Sequence, residues 1–312
     1  MKKKYSIEVP IYSNPLEYLI ELNQMDSLDI IMYGGVPDSP LNGGRFNYSL
    51  DGLFVLDRFL YRVSEKQLAK ITRKFYDTIT VANQNGISFL IAFTNIFVGQ
   101  DELTENNICP VKWLVESGQK HGVKNGLIIN NSLLEKHLRD QYGNALLYVS
   151  SCTKYVSPEK LLSPRETLAM YVKDSARYDY IVITPQDSRR EKLLREVVQK
   201  TPGNIIAISN SYCADKCNSY DHYEYMSKEN KKSLLTAKSL DIVKGSFSFL
   251  IPRSTKCSAF RLPFCKVNIE DIAKMQINSG IVHFKLGRGF GADLLDKLAN
   301  LVLRHERETK KN

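Results

Sequence analysis

Short apolar runs alternate with amphipathic helical patterns along this chain, and that alternation constrains its fold more than any other feature. The runs are YSIEVPI, LDIIMYGG, ISFLIAFTN, GLIINN, ALLYVSS, YIVITP, NIIAISNS and IVHFKLGRG, each closed by polar or glycine residues. Runs this short and this apolar read as strands covered on both faces, and the intervening helical patterns read as crossovers between parallel strands. About eight such units close a barrel at a typical length of ~250 residues before insertions. The chain has 312 residues, so the expected fold is an α/β (β/α)8 TIM-like barrel forming a single domain over 1–312. An open doubly wound sheet is the alternative, but the Gly-x-Gly-x-x-Gly fingerprint that would favour it is missing after the first strand.

Helix starts carry their own signals. Ser13 or Asn14 can cap a helix whose first position is Pro15, and Ser163, Pro164 and Glu166 repeat the device. Ser64 with Gln67, and Ser132 with Glu135, have capping-box spacing. Leu193, Leu194, Val197 and Val198 share a helical face that Pro202 and Gly203 terminate. Two connections are longer than ordinary loops, at about 35–63 after the second strand and about 211–278 between the seventh and eighth. Segments of this kind build sites or lids.

Composition narrows the class. The formal charge is +9, part of it in the tails MKKKYS and RHERETKKN, which read as solvated ends before they read as nucleic-acid arms. No stretch approaches the ~20 apolar residues that span a bilayer, and no secretory apolar core follows the first lysines, so no membrane partner and a cytoplasmic address are expected. In that reducing setting the six cysteines are thiols or metal ligands, not a disulfide framework.

Closing the barrel brings every strand's carboxyl end to one mouth, where barrel enzymes keep their reacting groups. The candidates there are Tyr33, Asn95, Asn130, Ser150, Ser151, Lys154, Thr184, Asn210, Lys285 and Arg288, with His222 as a titratable group in the last long connection. Any strand must end in something polar, so a share of these are loop-forming or capping groups; Asp187 can equally cap a helix. Lys285, Arg288 and Gly289 sit in KLGRGFG before a helix start, a pattern suited to a carboxylate or phosphate and equally to a tight glycine turn. His283 falls inside the last strand and reads as a satisfied core residue.

Cys213 and Cys217, separated by three residues after the NIIAISNS strand, can turn two sulfurs toward one centre, and Cys257 with Cys265 can complete a four-thiolate shell. An iron–sulfur cluster, a tetrahedral zinc and ordinary buried thiols all remain open on spacing alone. A radical S-adenosylmethionine signature would need its third cysteine at 220, where Tyr220 stands. Cys152, at the end of the fifth strand, is the substitute ligand; Cys109 has no organised context.

The Cys-x-x-x-Cys loop, the nearby His222-Tyr223 and the segment NIEDIAKMQINSGIVHFKLGRG together resemble the collagenase-like peptidase family U 32. That family has a late barrel strand of similar pattern, matched here by Gly280, Ile281, Phe284, Lys285, Gly287 and Arg288. The resemblance implies a barrel with a cysteine-bound 4Fe-4S cluster, in a family that includes oxygen-independent hydroxylases of quinone precursors and RNA bases. It carries cluster ligation onto Cys213, Cys217, Cys257 and Cys265. Neither His-Glu-x-x-His nor Gly-x-Ser-x-Gly occurs, so no protease constellation goes with the name. The expected function is an iron–sulfur enzyme, oxidoreductase- or hydroxylase-like, modifying a small anionic or RNA-borne substrate. A zinc-dependent barrel hydrolase and a non-catalytic binding or accessory barrel are the alternatives.

Overall fold

The computed structural model describes residues 4–43, 47–50, 53–56, 64–201, 203–210, 220–231, 269–287 and 293–310. Eight parallel strands close into a barrel: β1 (Tyr5–Pro10), β2 (Leu28–Gly34), β5 (Ser88–Phe93), β6 (Gly126–Ile129), β7 (Leu147–Ser150), β8 (Tyr180–Val182), β9 (Ile205–Ile208) and β10 (His283–Lys285). Each expected run supplies one of them. Their spatial order is β1-β10-β9-β8-β7-β6-β5-β2, so successive barrel strands are neighbours and the first pairs with the last, which excludes the open-sheet alternative. Between the barrel strands run α1 (Leu16–Asn23), α2 (Glu65–Gln84), α3 (Glu105–His121), α4 (Ser132–Tyr142), α5 (Pro164–Ser175), α6 (Glu191–Lys200), α7 (Tyr220–Asn230) and α8 (Ile269–Asn278), and α9 (Asp293–Thr309) follows β10.

Two apolar cores follow from the two faces of each strand. Ile7, Met32, Phe89, Ile91, Leu127, Ile181, Ala207 and Phe284 point outward and pack under helix residues such as Phe75, Ile79, Leu114, Leu138, Leu194 and Leu298. Alternate residues point inward, where Ile31, Leu90, Ile128, Val149, Val182, Ile206 and Ile208 fill the barrel. The register fixes who shares that interior: Ser6 and Glu8 of β1 lie beside His283 and Lys285 of β10, and those beside Ile206 and Ile208 of β9. Layers of inward side chains drawn from alternate strands are what a closed barrel of this size requires.

Local signals are partly corrected. Ser64 and Ser163 form capping boxes with Gln67 and Glu166, as their spacing predicts. At α4 the cap is Asn131, which accepts from the amides of Leu133 and Leu134, because Glu135 is buried and occupied by Arg139, Arg177 and Tyr178. At α1, Pro15 itself takes the cap position without a side-chain bond; Ser13 instead donates to the Pro10 carbonyl. The connection after β2 contains an antiparallel hairpin, β3 (Asn47–Leu50) and β4 (Leu53–Leu56). The connection before β10 contains α7 and ends in the crossover helix α8, so its added segment is shorter than 211–278. Among the described residues no helix is long and apolar enough to cross a membrane.

Candidate active site at the barrel mouth

A charged pair stands inside the barrel. The Lys285 ammonium donates to Glu8 Oε2, with Glu8 1% and Lys285 9% exposed. The same ammonium lies 3.3 Å from the centroid of the Tyr33 ring, whose hydroxyl donates to the Leu286 carbonyl at 2.7 Å. Strand register explains the arrangement, since β2 and β10 flank β1, with Lys285 the direct partner of Glu8 and Tyr33 the partner of Pro10, two residues nearer the mouth. Among the described residues the buried Glu8 Oε1 has no hydrogen-bond partner. An isolated charge among isoleucine, leucine and valine side chains would be prohibitively costly, so each member of the pair holds the other in place. Toward the opposite end of the barrel, burial and then the charges of Asp29, Asp179 and Glu8 push the Tyr180 phenol up. There Ser6 Oγ meets His283 Nδ1 at 2.7 Å, so His283 is satisfied inside the strand layer.

Glu8 is the residue that reasoning from sequence passed over. A signal existed: in YSIEVPI the serine and glutamate occupy alternate positions, hence one face, and a strand covered on both sides has no solvated face for an acid.

The strand-end residues divide into groups that face the mouth and groups that build it. Asn95 is fully occupied: Nδ2 donates to the carbonyls of Pro40 (2.7 Å) and Ser227 (2.9 Å), and Oδ1 accepts from the Phe97 amide. Asn210 grips Gly287 through both backbone groups, its Oδ1 accepting from the amide at 2.6 Å and its Nδ2 donating to the carbonyl at 3.0 Å. Ser151 accepts from the Thr153 amide, Ser150 pairs with the Tyr155 hydroxyl, and Thr184 accepts from the Asp187 amide. Lys154 turns away to Asp174 and Tyr178, both at 2.9 Å. Asp187 is buried, with Tyr171 and Arg190 as partners. These contacts tie Asn95, Asn210, Ser151 and Lys154 to neighbouring backbone and side chains.

Four side chains are left at the mouth itself. Tyr33 and Lys285 have been described. Asn130 shares the inward face of β6 with Ile128, and its buried Nδ2 has no partner among the described residues. Cys152 packs against the interior cluster with its sulfur 3.9 Å from the Tyr223 hydroxyl. Cys213, Cys217, Cys257, Cys265, Arg288 and Gly289 lie outside the described residues, as does the side chain of His222 on α7. Among the described residues no group of three or more His, Cys, Asp or Glu side chains could hold a metal ion.

Helix α7 reaches from Cys152 after β7 to the connections after β5 and β2. Ser227 Oγ accepts from the Ile96 amide at 3.2 Å, Asn230 donates to the Asn42 carbonyl at 3.0 Å, and Lys231 just beyond the helix pairs with Glu102 at 2.7 Å. Burial works to raise the Glu102 pKa, but the Lys231 hydrogen bond, the Gly99 amide and the Lys231 charge together hold it below the usual carboxylate value. A depressed carboxylate stabilises the folded arrangement above its unfolded pKa and stops doing so as pH falls through the folded one. Hydrogen exchange corrected for intrinsic pH dependence should therefore show the α7 amides losing protection below about pH 4.5. In Glu102→Gln that pH dependence should vanish; its persistence would assign it to another group.

No protein-family model matches the sequence, and no curated protein does. Among solved structures the chain is similar to the U32 peptidase Mk0906, with a TM-score of 0.51, 12% identity and coverage of 92% of this chain and 93% of that one. A Haloferax volcanii malate synthase in its pyruvate/acetyl-CoA ternary complex covers 95% of this chain and 78% of that chain at 12% identity; its TM-score of 0.24 carries no argument. The first likeness speaks to fold alone: the barrel is U32 peptidase-like.

Proposed function

We propose that the chain is an iron–sulfur barrel enzyme of the U32 peptidase-like type, modifying a small-molecule or RNA-borne group at the carboxyl end of its barrel. The observation that carries this reading is the Lys285–Glu8 pair on the Tyr33 ring, a desolvated charged constellation on the side of the barrel where such enzymes place their chemistry. A pair that costs as much to bury as it returns in attraction has little to offer stability, which favours a role at the site.

The cluster would be held by Cys213, Cys217, Cys257 and Cys265. Their soft thiolate donors suit iron and sulfide, and the cysteine-bearing segments are flanked by Asn210 just after β9, by α7 and by Ile269 at the start of α8. Cys152 is the substitute should one of them not ligate. Bound there, the cluster would supply electron-transfer or hydroxyl-transfer chemistry. The chain's own residues do the rest: Tyr33 fixes the ammonium of Lys285, Lys285 and Asn130 offer donors to a substrate oxygen, and α7 limits entry of water. A cytoplasmic, reducing setting goes with this reading, because the thiols must stay unpaired to ligate.

Protein purified without oxygen should contain about four iron and four sulfide per chain, falling sharply in Cys213→Ser/Cys217→Ser. Zinc in place of iron would favour the barrel hydrolase. Metal-free protein that stays colourless after reconstitution, and that folds with all four late cysteines replaced by serine, would favour the binding or accessory reading.

A further inference from the structure

The lysine at the floor of the mouth already has its counter-ion. Lys285 touches Glu8, and three further cations at the carboxyl ends of the strands are likewise paired: Lys154 with Asp174, Arg190 with Asp187, Lys231 with Glu102. We infer that Glu8 sets the charge preference of the mouth, and that by compensating Lys285 it makes the floor select uncharged, carbonyl-bearing ligands over anions. This rests on the reading of the mouth as a binding site, and it replaces the expectation that Lys285 serves as an anion anchor.

A bare ammonium in a desolvated cup would draw carboxylates strongly, because little solvent screens it. With a carboxylate in contact, the pair acts on a ligand as a dipole. An arriving anion meets the ammonium and, in contact with it on the neighbouring strand, a carboxylate whose second oxygen, Oε1, is unpartnered among the described residues. Its attraction is largely cancelled while the cost of stripping its hydration remains. An uncharged carbonyl loses far less water. It can accept from the hydrogens of Lys285 not used by Glu8 and from Asn130 Nδ2, which lies on the inward face of β6. Glu8, 1% exposed, is a specificity-determining and positioning residue that need not touch the ligand.

The test uses two rings of equal size that differ by one charge, benzamide and benzoate, titrated against the full chain by ligand-observed NMR. The unmodified protein should prefer benzamide by on the order of tenfold. Glu8→Gln leaves the ammonium uncompensated and should reverse the preference toward benzoate by a similar factor. The double variant Glu8→Gln/Lys285→Met restores neutrality and should return it to benzamide, which also keeps the test decisive if the single variant fails to fold. A purely structural pair would leave the ratio unmoved across the series. Preference for benzoate in the unmodified protein, an unchanged ratio in the variants, or no binding of either ring up to its solubility would each overturn the inference. None of these outcomes depends on metal content, so failure here is distinguishable from failure of the iron–sulfur reading.

Discussion

Glu8→Ala should lower the unfolding free energy by roughly 3–5 kcal/mol, measured by chemical denaturation with an unchanged slope. The cost arises from what is left behind, since Lys285 would keep its charge among Ile31, Leu90 and Ile206 with only the face of Tyr33 beside it. Lys285→Met should cost a similar amount by stranding the carboxylate. Glu8→Leu/Lys285→Met should recover most of the loss, because apolar groups of comparable size need no desolvation and the surrounding interior is already apolar. The diagnostic quantity is the coupling: two large single effects that nearly cancel in the double variant. Additive effects, or a loss below about 1 kcal/mol in Glu8→Ala, would mean that water reaches the ammonium and that the pair is not desolvated as described.

Gly43→Ala is the second substitution expected to act strongly, at roughly 2–4 kcal/mol. A Cβ built on Gly43 would stand 1.9 Å from the Thr94 carbonyl oxygen, 2.1 Å from its carbon and 2.5 Å from the Asn95 nitrogen. All three are backbone atoms at the end of β5, so neither side can yield by a rotamer change. The segment carrying Gly43 must move away, and it holds several of the mouth's bonds. Leu41 accepts from the Asn95 amide at 3.1 Å, Pro40 accepts from Asn95 Nδ2, and Asn42 accepts from Asn230 of α7. The expected signature is therefore double: a loss of global stability and a selective loss of hydrogen-exchange protection in α7. A loss under about 1 kcal/mol with α7 protection intact would show that the segment is looser than its packing implies.

The same residues show how far the fold could be read in advance. Strand identity was legible because burial on both faces writes a short apolar run into the sequence, and eight runs separated by helical patterns leave few closures. The hairpin of β3 and β4 is equally legible: NYSLDGLFVL, inside the long connection after β2, has an Asp-Gly pair between alternating residues, the strongest short hairpin signal. Helix caps were legible only where no tertiary partner intervened. Glu135 has capping-box spacing from Ser132, but two arginines and Tyr178 claim it, and Asn131 takes the cap.

The candidate site was less legible, since a polar residue at a strand end looks the same whether it faces a ligand or ties down a loop. Asn95 and Asn210 are bound to neighbouring backbone, while Asn130, of the same type and position, keeps a buried Nδ2 with no partner among the described residues. Glu8 was hidden because its partner stands 277 residues away.

Local order along the chain thus determined, by itself, that there would be parallel strands, how many, and that their ends would meet, because hydrophobic periodicity and capping act over a few residues. Which inward side chains pair across β1 and β10, which asparagine is spent on backbone, and what charge the floor presents were decided only when the barrel closed. Those outcomes depend on register between strands distant in sequence and on desolvation, and neither exists until the chain is folded.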